Sequence, residues 1–493
     1  MNTKALRQKV LDLAIHGKLV PQNPNDESAT ALLEKIRAEK AEKIKKGELK
    51  ADKKDSFIFT KECEFDEDKL GKCSSGTRHK RHYEQFADGT VKDIEDEIPF
   101  DVPEGWAWCR LPEICVIPIT DGTHQTPTYS DKKKGVPFLS SKDVTSGKID
   151  WSKIKYITKE LHQELQKRIA PKKDDILLAK NGTTGVAAIV EDETIFDIYV
   201  TLAVIRPNQK IVYPKFLLNI INSPFCKNQF NEHLTGIGVP NLHLVDINKT
   251  FVPLPPLNEQ RQITDKIGSY TVHIDELEKN KSDLQTAIKQ TKSKILALAI
   301  HGKLVPQDPN DEPAEELLKR IATCDNRPYE KVELPEIDWT LPNNWCFCHF
   351  GDIAAVINGK NQSKVENPNG KYPIYGSGGI MGRADDYICP ENCTIIGRKG
   401  SINNPIFVEE KFWNVDTAFG LSPSEAVLPR FLFYFCEYFD FTTLDSSTTL
   451  PSLTKTNIQQ IIFALPPIEE QKRILDKTEE LFRKLDEIVL NLI

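Results

Sequence analysis

At 493 residues, with 28% charged and 39% hydrophobic side chains, the chain has an ordinary globular composition and room for two or three domains. No apolar run reaches the length of a membrane span and the N-terminus lacks a signal-peptide core, so a cytoplasmic protein without membrane contact is expected. A net charge of −7 argues against a free-standing nucleic-acid binder that works by bulk charge, and 11 irregularly spaced cysteines read as reduced thiols.

The first element is one copy of a repeat. Residues 9–36 match 294–321 at 20 of 28 positions, centred on LAIHGKLVPQ at 13–22 and 298–307, an offset of 285. Such self-similarity has to be read before anything else, because it sets the architecture. Leu6, Val10 and Leu13 keep a helical spacing, and Gly17, like Gly302 in the second copy, stands where a helix end calls for positive φ. His16 and His301 read as helix-end or partner-contact residues rather than catalytic ones. Residues 1–54 are thus a half-connector helix followed by a tether dense in Lys, Glu and Ala. Residues 55–97 are polar and irregular and read as a loop or insert. Cys63, Cys73, His79 and His82 fall there without the tight ligand pairs of a zinc finger, so no metal is assigned.

The first globular unit, 98–255, opens with IPFDVPEGWAWCRL at 98–111. The second, 334–466, opens with the variant LPNNWCFCHF at 341–350, which sets Trp106 level with Trp345. Inside the units LLAKNGTTG (177–185) aligns with IIGRKGSIN (395–403), and VTLAVIRP (200–207) with DTAFGLSP (416–423). GIGVPNLHLVDI (236–247) aligns with SSTTLPSLTKTNI (446–458) on Pro240 and Pro451. Short apolar runs between Gly, Asn and Ser clusters predict strands, and YPKFLLNIINS and LPRFLFYFCEY predict helices. Each unit reads as α+β, mostly strand. Between 131 and 180 there are 13 Lys or Arg against 7 Asp or Glu, a local basic surplus suited to phosphate.

Each unit is followed by a second repeat, LPPLNEQRQITDK at 254–266 and LPPIEEQKRILDK at 465–477, offset 211. Paired prolines end a strand and start a helix. Apolar residues then recur at alternating steps of four and three, as Ile263, Ile267, Tyr270, Ile274, Leu277, Leu284, Ile288, Ile295 and Leu298, with Lys281 and Thr291 at the two polar stations. This heptad seam predicts lengthwise packing against another helix, about 66 Å long. The C-terminal copy keeps the register through Ile474, Leu481, Leu485, Ile488 and Leu492. Offset 211 places Ile493 level with Ser282, and offset 285 places Met1 level with Thr286. The two ends together rebuild the central segment of roughly 253–322, short by only the three positions 283–285, so the chain reads as a circle of two half-units cut inside one connector (256–333), and the ends are expected to meet. The C-terminal connector helix is 467–493.

Taken in this order, the two HGKLVPQ copies, the two LPP helix starts, PEGW, DGTHQTP (121–127), IIGRKGS and FWNVDTAF resemble the specificity subunit of Type I restriction-modification systems over nearly the whole length. The resemblance implies two target-recognition domains, each reading half of a bipartite double-stranded DNA sequence. They would be separated by two long antiparallel coiled-coil helices in a pseudo-two-fold arrangement. It implies two modification (methyltransferase) subunits and restriction (translocase and nuclease) subunits as partners. S-adenosylmethionine, ATP and Mg belong to those partners, with no cofactor in this chain. DNA contacts are then expected from side chains able to pair with base edges or phosphates. In the first unit these are Thr123, His124, Lys142, Lys180, Asn181, Thr183 and Thr184, and in the second Asn361, Tyr375, Arg398, Lys399, Ser401 and Asn403. Helix and subunit contacts fall to Ile263, Ile267, Ile274, Leu277, Leu284, Ile288, Ile474, Leu481, Leu485 and Ile488. No phosphate loop, H-E-x-x-H or Asn-Pro-Pro-aromatic stretch is present, and GSGGIMG (376–382) lacks G-x-G-x-x-G spacing, so the chain reads as non-catalytic. A stand-alone DNA-modifying enzyme and a coiled-coil scaffold without a DNA target are the alternatives.

Overall fold

The computed structural model describes residues 2–48, 55–63, 79–144, 147–232, 234, 240–324, 330–332, 339–444 and 452–491. Internal packing divides the chain into two compact units of mixed helix and strand, Asn2–Glu278 and Lys279–Ile493. The division falls inside one 44-residue helix, Leu257–Ile300, which starts directly after Pro255-Pro256 and gives half its length to each unit. No described helix is long and apolar enough to cross a membrane.

Both units follow one plan. In the N-terminal unit the strand Ala107–Arg110 pairs antiparallel with Phe251–Leu254, so the unit's first core strand meets its last. A four-stranded sheet runs in the order Thr120–Asp121, Leu202–Ile205, Ile176–Ala179, Ala187–Ile189, all antiparallel. A three-stranded sheet has Val136–Leu139 in the middle, parallel to Asp197–Ile198 and antiparallel to Lys155–Ile157. The C-terminal unit repeats each sheet. Cys346–His349 pairs with Ile462–Leu465. Ala354–Asn358, Ala418–Pro423, Cys393–Gly397 and Ile406–Val408 form the four-stranded sheet. Tyr372–Gly376 lies between Gly379–Ala384 (antiparallel) and Trp413–Asn414 (parallel). The expected helices are present as Pro214–Ile221 and Pro429–Tyr438.

The repeated motifs form one staple made twice. Gly17 (φ +62°) and Gly302 (φ +66°) end their helices in the left-handed region. A Cβ on either would lie 2.3 or 2.4 Å from Pro103 or Pro342, so only glycine fits. The Trp106 indole Nε1 donates to Glu259 Oε2 (3.0 Å) and Gln22 Nε2 donates to Oε1 (3.2 Å). Trp345 and Gln307 do the same to Glu470 at 2.9 and 2.6 Å. Burial pushes both carboxyls above the usual range, against the pull of those donors. The neighbouring glutamine of each LPP motif is buried as well. Gln260 accepts from Tyr213 N and donates to the Ile211 and Pro255 carbonyls, while Gln471 accepts from Leu428 N and donates to those of Ala426 and Pro466. The motif thus ties helix start, HGKLVPQ turn and recognition unit together without leaving a buried polar group unpaired.

Two expectations need correcting. The described residues of 55–97, which leave out 64–78, form a sheet and not a loop. Ser56–Cys63 pairs with His79–Phe86 through eight antiparallel partners and Val91–Asp93 adds a third strand. The signal was hidden because this sheet buries Glu84, bound to Arg110 (2.8 Å) and Ser56 Oγ (2.6 Å), beside the apolar Ile58. His82 Nδ1 lies 3.0 Å from Glu95, while Cys73 and the side chains of Cys63 and His79 lie outside the described residues. The apolar seam of the long helix is also narrower than expected. Ile263, Ile267, Ile274, Ile288 and Ile295 are buried and Leu284 half-buried, but Tyr270, Leu277 and Leu298 are exposed. The buried stations Ile267, Ile274, Ile288 and Ile295 lie multiples of seven residues apart, while Tyr270, Leu277 and Leu298 between them stay exposed, so the helix covers one edge of the seam and not its full width. In the C-terminal helix Ile468–Leu490, Ile474 is buried, Leu481 and Leu485 are half-buried and Ile488 is exposed, while Leu492 lies outside the described residues. The half-connector and tether appear as helices Thr3–Ile15 and Ala29–Lys45, with 49–54 outside the described residues. His16 and His301 are ring-stacked at helix ends on Phe100 (4.1 Å) and Trp339 (4.7 Å).

Candidate nucleic-acid interface

In each unit three loops converge on one short segment. In the N-terminal unit this is 199–201: Tyr199 N donates to Leu139 O, Val200 N to Thr123 O, and Thr201 O accepts from Lys180 N (2.8 Å) while its hydroxyl accepts from Ser141 N (3.0 Å). The turn after Asp121, the connection after Leu139 and the tongue after Ala179 are therefore held side by side. The C-terminal unit uses 414–418 in the same way. Lys360 N donates to Asn414 O, Val415 N to Tyr375 O, and Arg398 N to Thr417 O (2.8 Å). The tongues are pinned from their far side by Leu242 N on Lys180 O and Leu453 N on Arg398 O. Ladder pairs join Asn181 to Asn241 and Lys399 to Ser452. This puts the sequence alignment of the two tongues into register; Pro451 and 236–239 lie outside the described residues. Each tongue turns at a left-handed glycine, Gly182 (φ +75°) and Gly400 (φ +77°), with nothing within 4 Å of where a Cβ would stand. Open space over a glycine turn lets another backbone or a phosphate approach closely.

The side chains of the two faces differ. Lys180 is 6% exposed and its Nζ lies 2.5 Å from Asp121 Oδ2, so it is a frame residue of its own unit rather than an open reader. Asp121 also accepts from Arg168 Nη2 (2.8 Å) and lies 3.2 Å from His124 Nε2, with both of those side chains reaching solvent. Burial pushes the Asp121 carboxyl up, but the hydrogen bond and charge of Lys180, with help from His124, outweigh it and hold the group below the usual carboxylate range. Thr123 is buried and its hydroxyl accepts from Gln125 N. Asn181 and Thr184 are half-buried, and Thr183 and Lys142 are exposed. Arg168 was missed in the sequence because it stands outside every motif.

At the register position of Asp121, opposite Ala203, the C-terminal unit has Asn358, opposite Phe419. No carboxylate among the described residues pairs with Arg398, which is half-buried with its guanidinium 5.7 Å over the Phe419 ring. Lys399 and Ser401 are exposed, and Asn361 caps its own turn by accepting from Ser363 N. Tyr375 is half-buried, edge-on to Phe412, and its phenol is pushed up by burial. Asn403 is committed to its own fold: Nδ2 donates to Asp440 (2.5 Å) and Oδ1 accepts from Phe441 N (2.8 Å). The contrast of Asp121 with Asn358 was visible as DGTHQ against NGKNQ, two stretches whose shared glycine sits under a backbone carbonyl in both units.

The family model of the Type I restriction modification DNA specificity domain matches residues 103–285 and 342–492. The chain is 25% identical to the Type I restriction enzyme EcoAI specificity subunit of Escherichia coli, over 98% of this chain and 90% of that one. It is 26% identical to the EcoEI specificity subunit of Escherichia coli, over 76% and 66%. A solved chain from a study of complex assembly and conformational transition of the type I R-M system shares the fold. Its TM-score is 0.56 at 21% identity, over 80% of this chain and 94% of that one.

Proposed function

The chain belongs to the Type I restriction-modification DNA specificity family, and from that premise we propose that it is the non-catalytic subunit that selects the DNA target for such a complex. Two recognition domains, 98–255 and 334–466, would each read one half-site, with the modification and restriction subunits assembled on the same chain. The observation that carries this reading is the repetition of one loop address in two units of matching sheet order, filled with different side chains. A shared frame with different reading residues suits two unlike half-sites.

DNA-facing roles fall to the accessible members of each face. These are His124, Lys142, Asn181, Thr183, Thr184 and Arg168 in the first unit, and Asn361, Tyr375, Arg398, Lys399 and Ser401 in the second. Lys180, Thr123 and Asn403 would act by holding the loops.

The connectors would form an antiparallel helix pair in a pseudo-two-fold arrangement. Arg7 pairs with Asp275 and Glu278 while Gln22 pairs with Glu259, and Lys292 pairs with Asp486 while Gln307 pairs with Glu470. In both cases partner numbers fall as the chain advances, which favours opposed helices. The exposed Leu277 and Ile488 are then left to bind partner subunits.

The test is co-expression with a modification subunit of the same locus, followed by single-molecule mapping of methylated adenines. A split motif with a constant gap is expected, and a contiguous motif would sink the two-headed reading.

A further inference from the structure

The hairpin of the C-terminal unit ends in an apolar pair that no core accounts for. Strands Tyr372–Gly376 and Gly379–Ala384 are joined through Ser377 and Gly378, and the next residues, Ile380 and Met381, are 66% and 62% exposed. The pairing register slips here, from Tyr375 opposite Ile380 to Ile374 opposite Gly382, so Met381 is the extra residue of a bulge and stands uncovered beside Ile380 at the tip. The sequence around them, GSGGIMG (376–382), keeps the ribbon thin. A Cβ at Gly378 or Gly379 would meet nothing within 4 Å, and Gly379 sits at φ +121°, a conformation other residues avoid. The tip belongs to the candidate interface, since a Cβ on Gly397 would lie 3.2 Å from Ser377 Cβ, and Gly397 immediately precedes Arg398.

Resting on the reading of this unit as a DNA-recognition head, we propose that the Ile380–Met381 ribbon enters the major groove and recognises thymine through its 5-methyl group. The major groove admits a two-stranded ribbon without deformation, whereas the minor groove, about 6 Å wide, takes one only where the duplex is bent or widened. Within the major groove the thymine methyl is the apolar feature that a base pair presents, and Ile and Met offer apolar surface without hydrogen-bonding groups. The neighbouring Arg398 and Lys399 supply the cations that bring phosphate or a guanine edge to the same place.

The experiment uses the full chain with its modification subunit and duplexes of the mapped target in which each thymine of one half-site in turn is replaced by deoxyuridine. Loss of one buried methyl contact is expected to weaken binding about fourfold at one or two positions of the half-site read by this unit. In the doubly substituted chain, Ile380→Ser with Met381→Ser, thymine and deoxyuridine duplexes should bind equally while the melting temperature stays unchanged. Equal binding of both duplexes by the unsubstituted chain, thymine preference retained in the variant, or a half-site without thymine would each overturn the proposal. Loss of partner-protein association in the variant, with thymine preference intact, overturns it in favour of a protein-binding tip. If the unsubstituted complex binds no duplex at all, the DNA-recognition reading fails first, and this proposal with it.

Discussion

Lys180 and Arg398 occupy the same place in two copies of one frame, and their surroundings treat them differently. The backbone of each makes the same two bonds, its N–H to a threonine carbonyl (Thr201 or Thr417) and its carbonyl to the leucine N–H that pins the tongue (Leu242 or Leu453). Yet Lys180 is buried on Asp121, while Arg398 rests on an aromatic ring with no carboxylate partner among the described residues. A buried acid opposite Ala203 turns the first face into a closed cluster that presents Arg168 and His124. Asn358 opposite Phe419 leaves the second face with its central cation available. A duplicated frame can diversify its chemistry at one register position while keeping the backbone bonds that hold the two cations' tongues.

The largest test of this contrast is Asp121→Asn. It strands a buried ammonium, and a loss of about 3–5 kcal/mol is expected, confined to peptides of the N-terminal unit when unfolding is followed by hydrogen exchange. A loss below about 1 kcal/mol would show that Lys180 does not depend on Asp121.

Next come the shared staples, where the units should behave alike. Glu259→Ala and Glu470→Ala each leave a buried indole N–H unsatisfied, while Gln22 and Gln307 keep the Gly17 and Gly302 carbonyls, so denaturant titration should show about 1–3 kcal/mol lost for each. Strongly unequal losses would break the claim that the two staples are equivalent.

Arg398→Ala should weaken binding to one half-site by about tenfold, within the 1–3 kcal/mol range of a good base contact, with the other half-site unaffected. Equal loss at both would place Arg398 in the framework.

The smallest effect is on acid stability. Because the Asp121 carboxyl is held below its ordinary value, its contribution is present above about pH 4 and lost as pH falls through the lowered value. Asn358 does not titrate, so the N-terminal unit should lose stability more steeply on acidification. Parallel acid profiles for the two units would contradict this.

Much of the frame was legible in the chain because it rests on local rules. Paired prolines start helices, Gly17 and Gly302 end them, and the aligned tongues share a glycine turn that the structure reproduces at Gly182 and Gly400. Apolar periodicity located the long helix and the helices Pro214–Ile221 and Pro429–Tyr438. What escaped was non-local. The strands Ser56–Cys63, His79–Phe86 and Val91–Asp93 pair across a polar face, so their hydropathy carried no period-two signal, and which edge of the helical seam is covered, leaving Leu277 exposed, depends on what packs against it.

The reading faces show most directly what sequence determines and what it leaves to tertiary structure. By itself the sequence determined that the chain is a duplicated frame with loops at repeated places, because repeats, prolines and glycines act within a few residues of themselves. Only the tertiary structure decided which loop side chains face outward. Lys180 meets Asp121 across 59 positions of chain, and no local pattern says whether a cation will find a carboxylate or an aromatic ring once the sheets have closed. Burial and pairing belong to the folded arrangement, and they decide which of two equivalent cations is held inside the frame on a carboxylate and which rests on an aromatic ring.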